Sequence, residues 1–321
     1  MPQSRRITIR RRPFRVCRLT AVLLAGLIAG CTPLSTITHT IAERTGSFSE
    51  RLDSGGGLKK RVGVVPFTGR APLAGERLQR VMQDAVIEAI GGACSACLLN
   101  GPGPSESFPT LANLPRLPSG RVDNLALASM GKKRGLNAIV TGALVDINVS
   151  QTTEGILWFK HKNYYVELFL SLSVYDTTTA AKLFDENVLQ QIETDEPEAE
   201  MIAEKIWADQ DELKRSIIEI GSELGRAAGK AIKDSPWAGH IIGVEGGRLI
   251  VSAGKMAEVT VGSVFEVYAE GSIIAGAEGE RFSVAGPKTA EIQIRDVYED
   301  RSAAILIEGE KADVGSMIFP K

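Results

Sequence analysis

The chain has 321 residues, 24% charged and 44% hydrophobic but only 6% aromatic, which is globular composition for about two domains. Its 37 Lys and Arg nearly balance 39 Asp and Glu, yet residues 1–30 hold seven arginines and no acid, so the remainder is acidic. An acidic body argues against nucleic acid as partner, because phosphate binding needs a basic face. Only three histidines occur, His39, His161 and His240, and no two are close in sequence. That inventory argues against a histidine metal site or a His-dependent triad. No metal, no cofactor and no enzymatic activity is therefore expected.

Arginines crowd residues 5–18, and Leu19 to Gly30 then form an apolar run of about a dozen residues before Cys31. At about 1.5 Å per residue, such a helix falls short of the ~30 Å hydrocarbon core. A charged start, a short apolar middle and small residues at the end read as an export signal over 1–30. Leu27-Ile-Ala-Gly-Cys31 resembles a bacterial lipobox. That resemblance implies cleavage before Cys31 and lipidation of its thiol. The alternative is an uncleaved anchor helix with an incidental cysteine. Two or more acyl chains make a stable tether where one is marginal. Thr32 follows the cysteine instead of Asp, which by the same resemblance implies the periplasmic face of the outer membrane.

Residues 31–60 are rich in Thr and Ser and pass through Gly55-Gly56-Gly57, the composition of a flexible tether. Arg61 to Phe67 is a short apolar run suited to a buried strand. Leu78, Val81, Met82, Ala85, Ala89 and Ile90 share one face of a helix over about 75–90, which Gly91-Gly92 should end. A short strand follows over 94–99, then a proline-rich loop over 100–120. Asp123 is placed to cap a helix over 124–134, with Gly135 as terminator. Strands follow over 138–149 and 165–175. In the latter, Val166, Leu168, Leu170, Leu172 and Val174 alternate with Glu167, Phe169, Ser171 and Ser173, the period of a half-buried antiparallel strand. Asp176 to Ala180 turns the chain, Lys182 to Ile192 returns, and one long helix is expected over 197–232, its stripe running through Ile202, Ile206, Leu213, Ile217, Ile220, Leu224, Ala228 and Ala231.

After His240 the elements shorten. Strands at 241–244 and 248–252 flank Glu245-Gly246-Gly247, a hairpin signature. Val261 to Val267 is echoed by Val314 to Phe319, with short strands at 290–296 and 303–308 between them. The expectation is an α+β protein: an α/β sandwich with a mixed sheet over 61–235, followed by a small β-barrel over 238–321.

Val62-Gly-Val-Val-Pro-Phe67, the helix after it, and Gly135-Leu-Asn-Ala-Ile-Val-Thr-Gly142 resemble the α/β domain of the TolB amino terminus. Curli-secretion lipoproteins, lipoprotein activators of penicillin-binding proteins and the middle domain of flagellar assembly protein T share that domain. Gly243 to Val251, Val261 to Val267 and Gly315 to Phe319 are similar to the carboxyl-terminal β domain of flagellar assembly protein T. The resemblance implies a binding and assembly component of the cell envelope, flagellar or otherwise trans-envelope. The alternative is a regulator of peptidoglycan synthesis or a curli-type secretion subunit. Envelope proteins, the membrane reached through Cys31, and further copies of the chain are the partners implied. Flagellar assembly protein T has a further amino-terminal domain, in whose place this chain has a tether.

Two other features stand out. Cys94-Ser-Ala-Cys97 in an exported chain reads as a structural disulfide, with buried thiols or a redox or metal role as alternatives. Ile156, Leu157, Trp158 and Phe159 form a cluster that serves as a partner contact if exposed, or covers the sheet if buried. The acidic run over 193–200 is what a helix start favours.

Overall fold

The computed structural model describes residues 57–69, 75–100, 114–156, 158–204, 211–277 and 279–321. The export signal, Cys31 and most of the expected tether lie outside them. The described residues all fall within one compact unit, Leu52–Lys321. Within it the fold is α+β, a mixed sheet with helices followed by a closed antiparallel barrel.

The sheet contains β1 (Lys60–Val64), β2 (Thr68–Gly69), β3 (Cys97–Asn100), β4 (Ala138–Ile156), β5 (Phe159–Asp176) and β6 (Lys182–Thr194). Its order is β3-β1-β4-β5-β6, with β2 on β4. The β1–β3, β1–β4 and β2–β4 pairs are parallel, and β4–β5–β6 is an antiparallel meander. Helices α1 (Gly75–Ala93), α2 (Asn124–Lys133), α3 (Glu196–Ala203) and α4 (Asp211–Asp234) complete this part.

One face of the sheet packs under α1, α3 and α4. Val62, Val140, Leu168, Leu170 and Leu172 from the strands meet Met82, Val86, Ile217 and Leu224 from the helices in one continuous core. Among the described residues the other face is covered at one end only, where Leu127 of α2 packs on Ile139 and Tyr175. Further along, Asp146, Asn148, Asp185, Asn187 and Gln191 leave it open to water.

Helices α1 and α4 approach closely because α4 presents Gly221, Gly225 and Gly229 at four-residue spacing. A Cβ on Gly225 would lie 2.7 Å from the Val86 carbonyl oxygen, and one on Gly229 would lie 2.9 Å from the Ala93 Cβ. This stripe explains why α1 does not stop at Gly91-Gly92. Its ladder continues until the Cys94 N–H donates to the Ile90 carbonyl at 2.8 Å. Packing outweighs the ~1 kcal/mol that each helical glycine costs.

The expected long helix is instead two helices in the described residues, α3 and α4. Ile206 lies outside those residues. Ile202 and Leu213 both enter the same core. Eleven residues make three helical turns, so this spacing reads as one stripe whether or not the helix is continuous. Late in α4 it is Ile232, not Ala231, that is buried. Asp195 caps α3 by accepting from the Glu198 N–H at 2.9 Å, and Asp123 caps α2 through the Ala126 N–H at 3.1 Å. Gly135 follows α2 at φ +64°, the left-handed terminator expected there.

The barrel runs β12-β13-β8-β7-β14-β9 and closes on itself. Its strands are β7 (Gly239–Glu245), β8 (Arg248–Val251), β9 (Val264–Tyr268), β12 (Lys288–Val297), β13 (Ser302–Gly309) and β14 (Met317–Pro320). Gly246 and Gly247 both hold positive φ in the two-residue turn between β7 and β8. Trp237, Ile241, Phe265, Val267, Ile292 and Ile318 fill its core. A side hairpin, β10 (Ile273–Ala275) with β11 (Arg281–Ser283), reaches from the barrel to α2. There the Asn124 side chain donates to the Arg281 carbonyl at 2.6 Å, and Arg281 pairs with Asp123 at 2.7 Å.

Candidate partner-binding surface

Strands β4 and β5 are 19 and 18 residues long, whereas β6 reaches only to the level of Tyr164. Beyond that level β4 and β5 continue as a bare two-stranded hairpin, pairing Gln151 with Tyr164, Thr153 with Lys162, Glu154 with His161 and Ile156 with Phe159. Six residues at ~3.3 Å each carry the tip about 20 Å past the third strand. Both strands are exposed there, at residues 151–155 and at His161 and Lys162.

Of the expected cluster, Trp158 sits at the turn and is 81% exposed. Leu157 lies outside the described residues, and Ile156 and Phe159 are placed by their backbone pairing alone. An exposed indole is a large apolar surface with few rotatable bonds and one N–H donor, the properties of an interface anchor. Residues opposite one another share a face. One face of the tip therefore holds Thr152, Glu154, His161 and Asn163, and the other holds Gln151, Thr153, Lys162 and Tyr164. A strand crossing a bilayer needs about 9–11 residues with one apolar face, and neither of these faces is apolar.

Cys94 and Cys97 are joined, with their Cα atoms 5.3 Å apart. The link spans the end of α1 and the first residue of β3, and Cys94 is buried in the sheet–helix core. Its place is architectural, pinning a helix end to an edge strand.

A second polar region lies where β1, α2 and the end of α4 meet the barrel. Arg61, Asn137, Trp237, Ala238, Ser252 and Ala257 line it. The Trp237 Nε1–H donates to the Lys59 carbonyl at 3.1 Å, and Leu58 packs on the barrel core. The chain is thus held against the barrel before β1 begins. Buried Lys60 donates to the Ile232 and Lys233 carbonyls at 2.6 and 3.0 Å and to the Ser235 carbonyl, satisfying the orphan acceptors at the end of α4. Burial pulls its ammonium down to about 8, and Asp176 and Asp234 push back upward.

His240 is 3% exposed. Its backbone N–H donates to Ser252 Oγ at 2.9 Å, while its ring Nε2 has no hydrogen-bond partner among the described residues. Burial, and secondarily the Lys132 charge, lower it to about 3, so it stays neutral. Among the described residues no group of three or more His, Cys, Asp or Glu is arranged to hold a metal ion. Of the acids of 193–200, Asp195 caps α3, Tyr164 donates to Glu196 and Thr194 donates to Glu198.

The sequence singled out Trp158 but gave no hint that the strands outrun their neighbour. The glycine stripe was missed although its four-residue spacing is visible. The role of Lys60 leaves no sequence signal, because its partners lie far away in the chain, and the burial of His240 depends on barrel closure.

No protein-family model matches the chain, and no curated protein matches it. Among solved structures it is similar to the PelC dodecamer from Paraburkholderia phytofirmans, with 7% identity over 55% of this chain and 88% of that one, at a TM-score of 0.27. Lipoprotein GNA1162 from Neisseria meningitidis matches at 10% identity over 46% and 94%, TM-score 0.25. TolB from Acinetobacter baumannii matches at 11% over 79% and 62%, TM-score 0.27. Likenesses this distant carry no argument about function.

Proposed function

We propose that the chain is an exported lipoprotein that binds and helps to assemble a cell-envelope complex and catalyses no reaction. Cys31 anchors it to the periplasmic face of the outer membrane. The observation that supports binding is Trp158, 81% exposed at the turn of a hairpin whose strands run past the end of β6. A flagellar or other trans-envelope accessory role is the specific reading, resting on the resemblance of the barrel sequence to flagellar assembly protein T. The polar faces of the tip favour a protein contact over a pore. A regulator of peptidoglycan synthesis would share this surface, and phenotype separates the two.

The test is deletion of the gene, complemented by the natural chain or by Trp158→Ala. Motility should be lost and restored only by the natural chain, with both proteins present at equal levels and both lipidated at Cys31. Normal motility with altered wall cross-linking would replace the flagellar reading by the peptidoglycan one. A bare Cys31 thiol in the natural protein would overturn the anchored lipoprotein altogether.

A further inference from the structure

We propose that β6 is a pairing edge, and that its occupant is β6 of a second copy of this chain, antiparallel across a two-fold axis at Val188. β6 ends the sheet, and among the described residues no strand pairs with its outer side. Exposed edges in soluble proteins are usually kept short, bulged, or interrupted by proline or lysine. This edge has 13 residues with no proline or glycine, and its sole lysine is its first residue. It holds unbroken register with β5 from Phe184 to Thr194.

The sequence of β6 is complementary to itself in an antiparallel register centred on Val188. In a two-fold antiparallel pair, residues equally distant from the centre oppose one another on the same face. With Val188 at the centre, Phe184 meets Ile192 and Val188 meets itself. These three residues are partly buried against the sheet–helix core, so the pair would extend that core across the junction. Glu186 then meets Gln190, Asp185 meets Gln191 and Asn187 meets Leu189, and no acid opposes an acid. Moving the centre to Leu189 sets Asp185 against Glu193, a like-charge pair. Moving it to Asn187 sets Phe184 against Gln190 and Val188 against Glu186. Charge and apolar matching therefore favour Val188 over both neighbouring centres, and it is the centre that joins all three apolar residues Phe184, Val188 and Ile192. Pairing would also satisfy the outer backbone groups with about ten hydrogen bonds.

This deepens the assembly reading by naming one partner, and it uses neither Trp158 nor Cys31, so either idea can fail alone. The experiment uses the lipidated chain purified in detergent, carrying Val188→Cys or Gln190→Cys and mildly oxidised. Opposed Cβ atoms at 188 would lie about 4.5–5.5 Å apart, near disulfide reach. The two copies of residue 190 would be offset by four residues, roughly 13 Å. V188C should cross-link to a covalent dimer and Q190C should not. The unsubstituted chain should sediment at twice the single-chain mass. A single-chain mass, absence of the 188 cross-link in any larger assembly, or equal cross-linking at 188 and 190 overturns the proposal.

Discussion

The β4–β5 hairpin has a root and a tip, made from the same two strands in nearly continuous register. At the root every second residue, from Val166 to Val174, is buried beneath helices. At the tip, among the described residues, no third strand pairs with the two strands, and residues 151–155, His161 and Lys162 are exposed. The comparison teaches that register alone does not hold a strand pair in place. The root is stabilised by the helix layer, whereas an isolated two-stranded ribbon is marginal in water. Damage to the root should therefore read out as lost stability, and damage to the tip as lost binding.

The largest effect is expected from Leu170→Ala. Leu170 is fully buried in the root core, and truncating such a residue costs about 2–5 kcal/mol. Urea unfolding should show a lower midpoint with unchanged slope. A loss below about 1 kcal/mol would mean that the helix layer does not clamp the root.

The clamp depends in turn on the α1–α4 contact. Gly225→Ala would place a Cβ 2.7 Å from the Val86 carbonyl oxygen and 2.8 Å from the Ala89 Cβ. Overpacking of this kind costs about 1–3 kcal/mol. Gly92→Ala, also helical, meets nothing within 4 Å. It should gain about 0.5–1 kcal/mol through helix propensity. Opposite shifts in thermal midpoint for the two variants would establish the close approach. Equal shifts would refute it.

The core of this architecture was legible in the chain because burial writes itself as periodicity. Alternation over 166–174 and the three-and-four spacing from Leu78 to Ile90 follow from one face meeting the core. The barrel turns were legible from glycine chemistry at 246–247. Other features were not, for physical reasons. Whether α3 and α4 are one helix is invisible when eleven residues make three turns. The end of α1 was misplaced because a glycine stripe on a distant helix decides it. The site was half legible: the apolar cluster at 156–159 is local, whereas its projection depends on where β6 stops. Lys60 at the end of α4 pairs groups 172 residues apart, and no local pattern encodes that.

A smaller effect should come from acid. His240 is held neutral down to about 3 by burial, while an unfolded histidine takes up a proton near 6.5. Below 6.5 the unfolded chain thus binds a proton that the folded chain does not. Stability therefore falls as pH drops from 6.5 towards 3, by up to about 1.4 kcal/mol per unit. His240→Leu should flatten that dependence between pH 6.5 and 5, where the unfolded imidazole takes up its proton and the buried one does not. Urea midpoints at those two pH values measure it, and an unchanged slope would show that His240 is accessible to protons in the fold.

The smallest effect on stability is expected where the functional effect should be large. Trp158 is exposed at the tip, so its removal takes little apolar surface out of the folded state that the unfolded state keeps. Exposed substitutions of this kind stay within about 0.5 kcal/mol. Trp158→Ala should accordingly leave the urea midpoint unchanged while abolishing complementation of the deletion. A loss of about 2 kcal/mol or more, roughly what burying a large apolar side chain contributes, would mean that the indole packs against the chain itself. The tip would then be an extension of the root, and the division of the hairpin into a held half and a free half would fail.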